Sequence, residues 1–236
     1  METPVLEIAV HWARPVDEPS MRVHLDDAEQ TRYDRFLRAE DKARFVTGRA
    51  LARTALAEAT GLPPEEIRFS TDCEHCGGTH GKPRLPGRGV HFSLSHSGGL
   101  VVLALSRGAG AAEVGVDVER ESDRDIDSIA DMVLAAPERE VLAALPPAER
   151  RRAFHAYWSR KEALLKATGH GLAAPMSAIH VSAPAAPAEV LAWEGEAAVP
   201  TARLADLSPG PGYAASVAAL TTRPLAVTVA GPPPPA

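Results

Sequence analysis

Two carboxylates stand two residues apart in Val114-Gly115-Val116-Asp117-Val118-Glu119, interleaved with valines. On a strand, alternate side chains share a face, so Asp117 and Glu119 project together while Val116 and Val118 turn to a core. Like charges held side by side repel unless a cation lies between them. Hard oxygen donors of this kind suit Mg²⁺, which keeps waters and recruits phosphate oxygens. An Asp-x-Glu alone is also the ordinary solvated end of a strand. A second set follows: His155, Ser159, Glu162 and Lys166 fall at i, i+4, i+7 and i+11, one stripe of a helix. Glu162 could complete a three-carboxylate metal site or accept a proton, and Lys166, one turn on, could hold a phosphate. As an isolated surface pair the two would contribute only about 0.2–0.5 kcal/mol.

The elements that must position these groups can be read from periodicity. Residues 5–12 read as a first strand. A helix is predicted over 40–60, with Phe45, Ala52, Leu56 and Ala59 at helical spacing and Gly61 as its stop. Residues 72–88 are Gly- and Pro-rich loop, followed by short strands at 90–94, 100–105 and 113–118. A long helix is predicted over 147–168, closed by Gly169, with Phe154, Tyr157, Trp158, Leu164 and Leu165 as its apolar stripe. Strand-like segments follow from 178. One long helix and several short strands in each half suggest α+β rather than alternating α/β. We divide the chain into 1–108 and 109–230, the second carrying the acids, with 231–236 as a frayed tail; no sequence repeat links the halves.

Composition excludes several classes. With 45% hydrophobic and 24% charged residues the chain is an ordinary globular protein. No apolar run approaches the roughly 20 residues that span a bilayer. The start, Met1-Glu2-Thr3-Pro4, lacks a signal pattern, so a cytoplasmic protein is expected. A net charge of −6 argues against a general nucleic-acid binder. Yet residues 32–53 hold seven bases (Arg32, Arg35, Arg38, Lys42, Arg44, Arg49, Arg53) against three acids (Asp34, Glu40, Asp41). That cluster is either a solvated, ion-paired helix face or a berth for a small polyanion. Arg49 and Arg53, four apart, share a face. Cys73 and Cys76, with His80 close by, supply three zinc donors where a structural site normally takes four; two loop thiols without metal are the simpler reading. Gly81-Lys82-Pro83 lacks the Ser/Thr of a Walker A loop. Gly108-Ala109-Gly110 precedes a strand rather than opening a helix, so it is no dinucleotide fingerprint.

Four blocks occur in order: Gly81-Lys82-Pro83, Phe92-Ser93-Leu94-Ser95-His96-Ser97, Gly115-Val116-Asp117-Val118-Glu119, and Trp158-Ser159-Arg160-Lys161-Glu162-Ala163-Leu164-Leu165-Lys166. This order and spacing resemble the phosphopantetheinyl transferase superfamily, in its larger monomeric form similar to the surfactin-synthetase activator. The resemblance runs from Arg32 to Leu172. It implies two similar α+β halves related by a pseudo-twofold, with coenzyme A bound between them. It implies Mg²⁺, which Mn²⁺ can replace, on Asp117, Glu119 and Glu162. It puts Lys166 at the pyrophosphate and Lys82, Ser95 and His96 at the coenzyme's phosphates. Arg44, Arg49 and Arg53 fall where the family keeps basic contacts, and Glu138 matches a further acidic position near the metal. The implied activity is transfer of phosphopantetheine to a serine of an acyl or peptidyl carrier protein, with Asp117, Glu162 and Lys166 catalytic. The rival readings are an inactive module that binds coenzyme A or carrier protein, and a metal-dependent nuclease, which would need a longer basic track.

Overall fold

The computed structural model describes residues 4–72, 77–78, 81–122, 126–171, 174–194 and 201–230. The first part runs β1 (Leu6–Ala13), α1 (Pro19–Arg22), α2 (Asp27–Asp34), α3 (Ala39–Thr60), β2 (Val90–Ser97) and β3 (Leu100–Arg107). Then come β4 (Val114–Arg120), α4 (Asp127–Val133), α5 (Ala136–Ala144) and α6 (Pro147–Thr168). The chain closes with β5 (Ile179–Val181), β6 (Val190–Trp193), β7 (Arg203–Leu207), β8 (Tyr213–Ala219) and β9 (Leu225–Ala230).

The long helices α3 and α6 each span 22 residues and stop where the sequence supplies a glycine. Gly61 (φ 73°) and Gly169 (φ 77°) take the left-handed conformation that ends a helix and that a Cβ disfavours. The short α2 starts on a reciprocal cap: Asp26 Oδ1 accepts the Glu29 N–H at 2.8 Å, and Glu29 Oε2 accepts the Asp26 N–H at 3.1 Å.

The strands form a four-stranded sheet in the order β2-β3-β1-β9, a three-stranded sheet β4-β8-β7 and a two-stranded β5-β6 ribbon. Helix α3 packs Ala52, Ala55 and Leu56 on Phe92, Leu103 and Leu105 of the first sheet. Helix α6 sets Phe154, Leu164 and Leu165 in one core with Leu204 and Ala218 of the second. Between the sheets, Ile8, Val10, Val102 and Ala104 meet Val114, Val116, Val118 and Val217. The layers are therefore helix, sheet, sheet, helix. Covered on both sides, β3 is buried along every residue but its last, which explains its continuous apolar run. The α+β class, with a long helix on a small sheet in each half, is what the sequence led us to expect.

Two boundaries differ from expectation. Strand β9 pairs in parallel with β1, Leu6 opposite Leu225 through His11 opposite Ala230, so residues 225–230 belong to the first sheet. The chain returns across the division placed at 108, and the halves share one core. Strand β2 runs three residues past the predicted end, to Ser97, because its ladder with β3 continues to Leu100 and its serines find partners on β4. Among the described residues, no helix is long and apolar enough to cross a membrane.

Candidate active site

The acids sit where β4 meets α6. Val114, Val116 and Val118 are in the inter-sheet core, which turns Gly115, Asp117 and Glu119 toward the helix. A Cβ on Gly115 would lie 1.9 Å from Ala163 O and 2.4 Å from Ala167 N. Only glycine lets the strand lie this close to α6. That approach brings Asp117 to the C-terminal turns of α6, where Lys166 Nζ contacts Asp117 Oδ1 at 2.6 Å.

Asp117 is 2% exposed. Its Oδ1 also accepts Ser95 Oγ–H at 2.8 Å, and Ser95 Oγ in turn lies 2.9 Å from Lys166 Nζ. Asp117 Oδ2 is buried with no hydrogen-bond partner. Glu119 Oε2 accepts Ser97 Oγ–H at 3.1 Å. Burial first, and the Asp117 charge second, push the Glu119 carboxyl up to about 7. Burial also raises Glu162; the nearby Asp117 adds to this and Lys166 opposes it. His96 is lowered, first by the loss of water around it and then by the positive charges of Lys166 and Arg44. Two half-buried carboxyls with raised pKa values beside an unsatisfied carboxylate oxygen are a cluster short of positive charge.

Glu119 and His96 also line a cavity of about 410 Å³ between the halves. Arg38 and Arg44 line it from the first half of the chain, and Ile126, Ile129, His155 and Trp158 from the second. Arg44 is fixed by donating to Asp41 Oδ1 at 2.8 Å and to Gly98 O at 3.0 Å. The structure thus joins Ser95, Asp117, Glu119, Glu162 and Lys166 in one cluster, and its Glu119 lines the cleft with His96 and Arg44.

Other expected contacts are engaged elsewhere. Arg53, 1% exposed, donates to Glu29 Oε2 at 2.7 Å, and Arg49 lies 3.1 Å from Glu29 Oε1. Both guanidinium groups lie over Phe69. They serve a buried ion-pair cluster joining α2 to α3, because Glu29 neutralises them where water cannot. Lys82 Nζ lies 2.6 Å from Glu113 Oε2 and donates to Val114 O at 2.7 Å; Glu113 also takes Arg84 and His91. Glu138 is buried against Lys161 and accepts the Ala135 and Val181 N–H groups, so it ties α5 to α6 and β5 rather than joining Asp117. Cys73, Cys76 and His80 lie outside the described residues. Among the described residues no three His, Cys, Asp or Glu side chains close around a common point; the Lys166 ammonium sits against Asp117 instead.

Sequence reading passed over Arg38 and Ser97. Arg38 was counted in the basic cluster but not as part of the site. The signal for Ser97 was the period-two run Ser93, Ser95, Ser97, which puts three hydroxyls on one strand face.

Two family models together match most of the chain. Residues 113–218 match the 4′-phosphopantetheinyl transferase superfamily, and residues 12–107 match the N-terminal family described as 4′-phosphopantetheinyl transferase. The 4′-phosphopantetheinyl transferase HetI of Nostoc sp. is 33% identical over 180 residues, 72% of each chain. A 4′-phosphopantetheinyl transferase of Bacillus subtilis is 32% identical over 176 residues, 73% of this chain and 74% of that one. The 4′-phosphopantetheinyl transferase Sfp of Bacillus subtilis is 31% identical over 148 residues, 62% and 61% of the two chains. The solved holo-[acyl-carrier-protein] synthase of Thermotoga maritima overlaps 48% of this chain and 64% of its own, at 20% identity and a TM-score of 0.39. From the matched segments on both sides of the cleft and from these relatives, the chain belongs to the 4′-phosphopantetheinyl transferase superfamily.

Proposed function

We propose that the chain transfers 4′-phosphopantetheine from coenzyme A to a serine of an acyl or peptidyl carrier protein, releasing 3′,5′-ADP, and that the reaction depends on Mg²⁺. The observation that carries this reading is the meeting of Asp117, Glu119, Glu162 and Lys166 in one charged cluster, whose Glu119 lines a cleft together with Arg38, Arg44 and His96. A diphosphate needs charge compensation at one place and a second cationic berth for its 3′-phosphate at another. The intact acid set favours turnover over an inactive binding module. Both sides of the cleft come from one chain, which favours a monomer.

The donor set fits a hard divalent cation. Asp117 Oδ2 is buried and unsatisfied, burial and the Asp117 charge push Glu119 up to about 7, and burial raises Glu162. Such oxygens are what Mg²⁺ takes, along with water and phosphate oxygens. Mg²⁺ on Asp117, Glu119 and Glu162 would neutralise the pyrophosphate charge.

The chain's own groups do the rest. The Lys166 ammonium, already beside Asp117, is placed to bind the pyrophosphate and to stabilise charge that grows toward the transition state. Arg44 and Arg38 offer guanidinium groups to the 3′-phosphate, and His96 offers a ring N–H while remaining uncharged. The carrier serine oxygen attacks the β-phosphorus, which bears the pantetheine arm. The bond from that phosphorus to the bridging oxygen breaks, and 3′,5′-ADP departs with the electron pair. The serine proton passes to Glu162, whose raised pKa makes it a better base than an ordinary carboxylate. Positioning and charge compensation suffice for such a transfer. The test is mass spectrometry of several apo carrier proteins incubated with the chain, coenzyme A and Mg²⁺. The expected result is a gain of the phosphopantetheine mass on a serine that chelator abolishes. No gain on any carrier would leave the binding-module reading.

A further inference from the structure

Strand β4 is paired with β8 on one side only, so its other edge presents backbone groups without a ladder. Such an edge invites pairing with another chain unless something covers it. Here the cover is a row of side chains from the other half. Lys82 Nζ donates to Val114 O at 2.7 Å, Ser93 Oγ accepts the Val116 N–H at 3.1 Å, and Ser97 Oγ accepts the Arg120 N–H at 3.1 Å. Ser93, Ser95 and Ser97 alternate on β2, so all three reach the same way. Two of them also hold acids: Ser95 donates to Asp117 and Ser97 donates to Glu119.

Ser97 has an unambiguous hydrogen-bond direction. The Arg120 N–H can only donate, so the Ser97 oxygen accepts there and its own hydrogen is free for Glu119 Oε2. The residues after it are anchored as well. Gly99 N–H donates to Tyr213 Oη at 2.9 Å, and Gly98 O accepts Arg44 Nε–H. Gly98 has φ 55°, and a Cβ there would lie 2.5 Å from Tyr213 Oη. The turn that carries Ser97 is therefore tied to β8 of the second half through Gly99 and to α3 through Gly98. A fixed hydroxyl on a fixed turn can hold a carboxylate in one orientation against repulsion from its neighbour.

We propose that Ser97 is a positioning residue: bridging Arg120 N–H and Glu119 Oε2, it holds the Glu119 carboxylate beside Asp117 for the metal and pyrophosphate. This rests on the transferase reading for its catalytic consequence, though not for its geometric one. Ser97 acts through Glu119, and a partner of this kind typically alters metal affinity or activity about 10- to 100-fold when removed. Ser97→Ala should fold, because the Arg120 N–H it would free lies at an exposed position where water can replace the hydroxyl. Ser97→Thr keeps the oxygen and its hydrogen on a residue that strands favour.

The experiment measures Mn²⁺ binding by electron paramagnetic resonance for the native chain and both variants, with and without coenzyme A. Steady-state kinetics and melting temperatures accompany it. For Ser97→Ala we expect Mn²⁺ to bind about tenfold more weakly and kcat to fall by at least that factor. The KM for coenzyme A and the melting temperature should change little, and Ser97→Thr should recover most of both losses. Native Mn²⁺ affinity and kcat in Ser97→Ala would overturn the proposal, as would a lower melting temperature with affinity and kcat intact. If the native chain transfers nothing to any carrier yet Ser97→Ala still weakens Mn²⁺, the transferase reading falls and the positioning of Glu119 stands.

Discussion

Lys166 Nζ lies 2.6 Å from Asp117 Oδ1, while Asp117 Oδ2 is buried without a partner. One oxygen of the carboxylate is compensated by the chain itself and the other is open. On the proposed reading the same relationship would tie stability to catalysis, because the cation that steadies the folded protein would also meet the pyrophosphate.

Lys166→Met should therefore destabilise as well as inactivate. Breaking a fully buried pair costs about 3–5 kcal/mol. The Lys166 side chain is 28% exposed, so screening should reduce this to roughly half. Urea denaturation would show the loss, and Mg²⁺ should recover part of it by taking the place of the ammonium. A denaturation midpoint equal to the native one would remove the pair from the account.

The arginines of α3 should separate by partner. Arg53→Met leaves the buried Glu29 with Arg49 as its remaining cation, so we expect a loss below the roughly 3–5 kcal/mol of a fully broken buried pair, with the KM for coenzyme A unchanged in the folded fraction. Arg44→Ala should do the opposite, raising the KM for coenzyme A well above that for dephospho-coenzyme A. A charge-assisted contact of about 1.5–3 kcal/mol corresponds to roughly ten- to a hundredfold. Equal losses with both substrates would mean that Arg44 does not read the 3′-phosphate.

Gly115→Ala forces a Cβ into the backbone of α6, since Ala163 O would stand 1.9 Å away. Overpacking of this kind costs about 1–3 kcal/mol. Because the helix must shift, Asp117 and Lys166 should part and kcat should fall further than stability alone explains. Thermal melts and kcat on the folded fraction would check it; full activity would show that the strand-to-helix approach is not needed.

The pH dependence of stability has a definite sign. Glu119 is raised from 4.5 to about 7, so between those values the folded chain binds more protons than the unfolded one. Stability from this group is present at lower pH and is lost as pH rises from about 4.5 through about 7. In chelator the melting temperature should fall across that window, and Glu119→Gln should flatten the fall. Mg²⁺ should flatten it too, by competing with the proton. A slope that survives Glu119→Gln would place its origin elsewhere.

Much of the architecture was legible from spacing. The apolar stripes and terminal glycines of α3 and α6 fixed both helices to within a residue, because helix periodicity and the left-handed stop are local properties. Strand β2 was read short because Ser95, His96 and Ser97 look like the start of a loop; the ladder with β3 carries the strand through them, and the facing edge of β4 gives the serine hydroxyls partners. Strand β9 was assigned to the wrong half because nothing in residues 225–230 names the neighbour with which they pair.

By itself the sequence determined which side chains share a face: Asp117 with Glu119 on a strand, Glu162 with Lys166 one turn apart, Arg49 with Arg53 on a helix. Those relations follow from backbone geometry over a few residues. Only the tertiary structure decided what each face meets. Arg53 looked as available to a phosphate as Arg44, yet Glu29, 24 residues earlier, takes it into the interior while Arg44 stays at the cleft. Glu138 and Lys82 were likewise claimed by Lys161 and Glu113. The physical reason is desolvation: a charge leaves water only where an opposite charge or a set of dipoles awaits it, and that partner comes from elements remote in the chain.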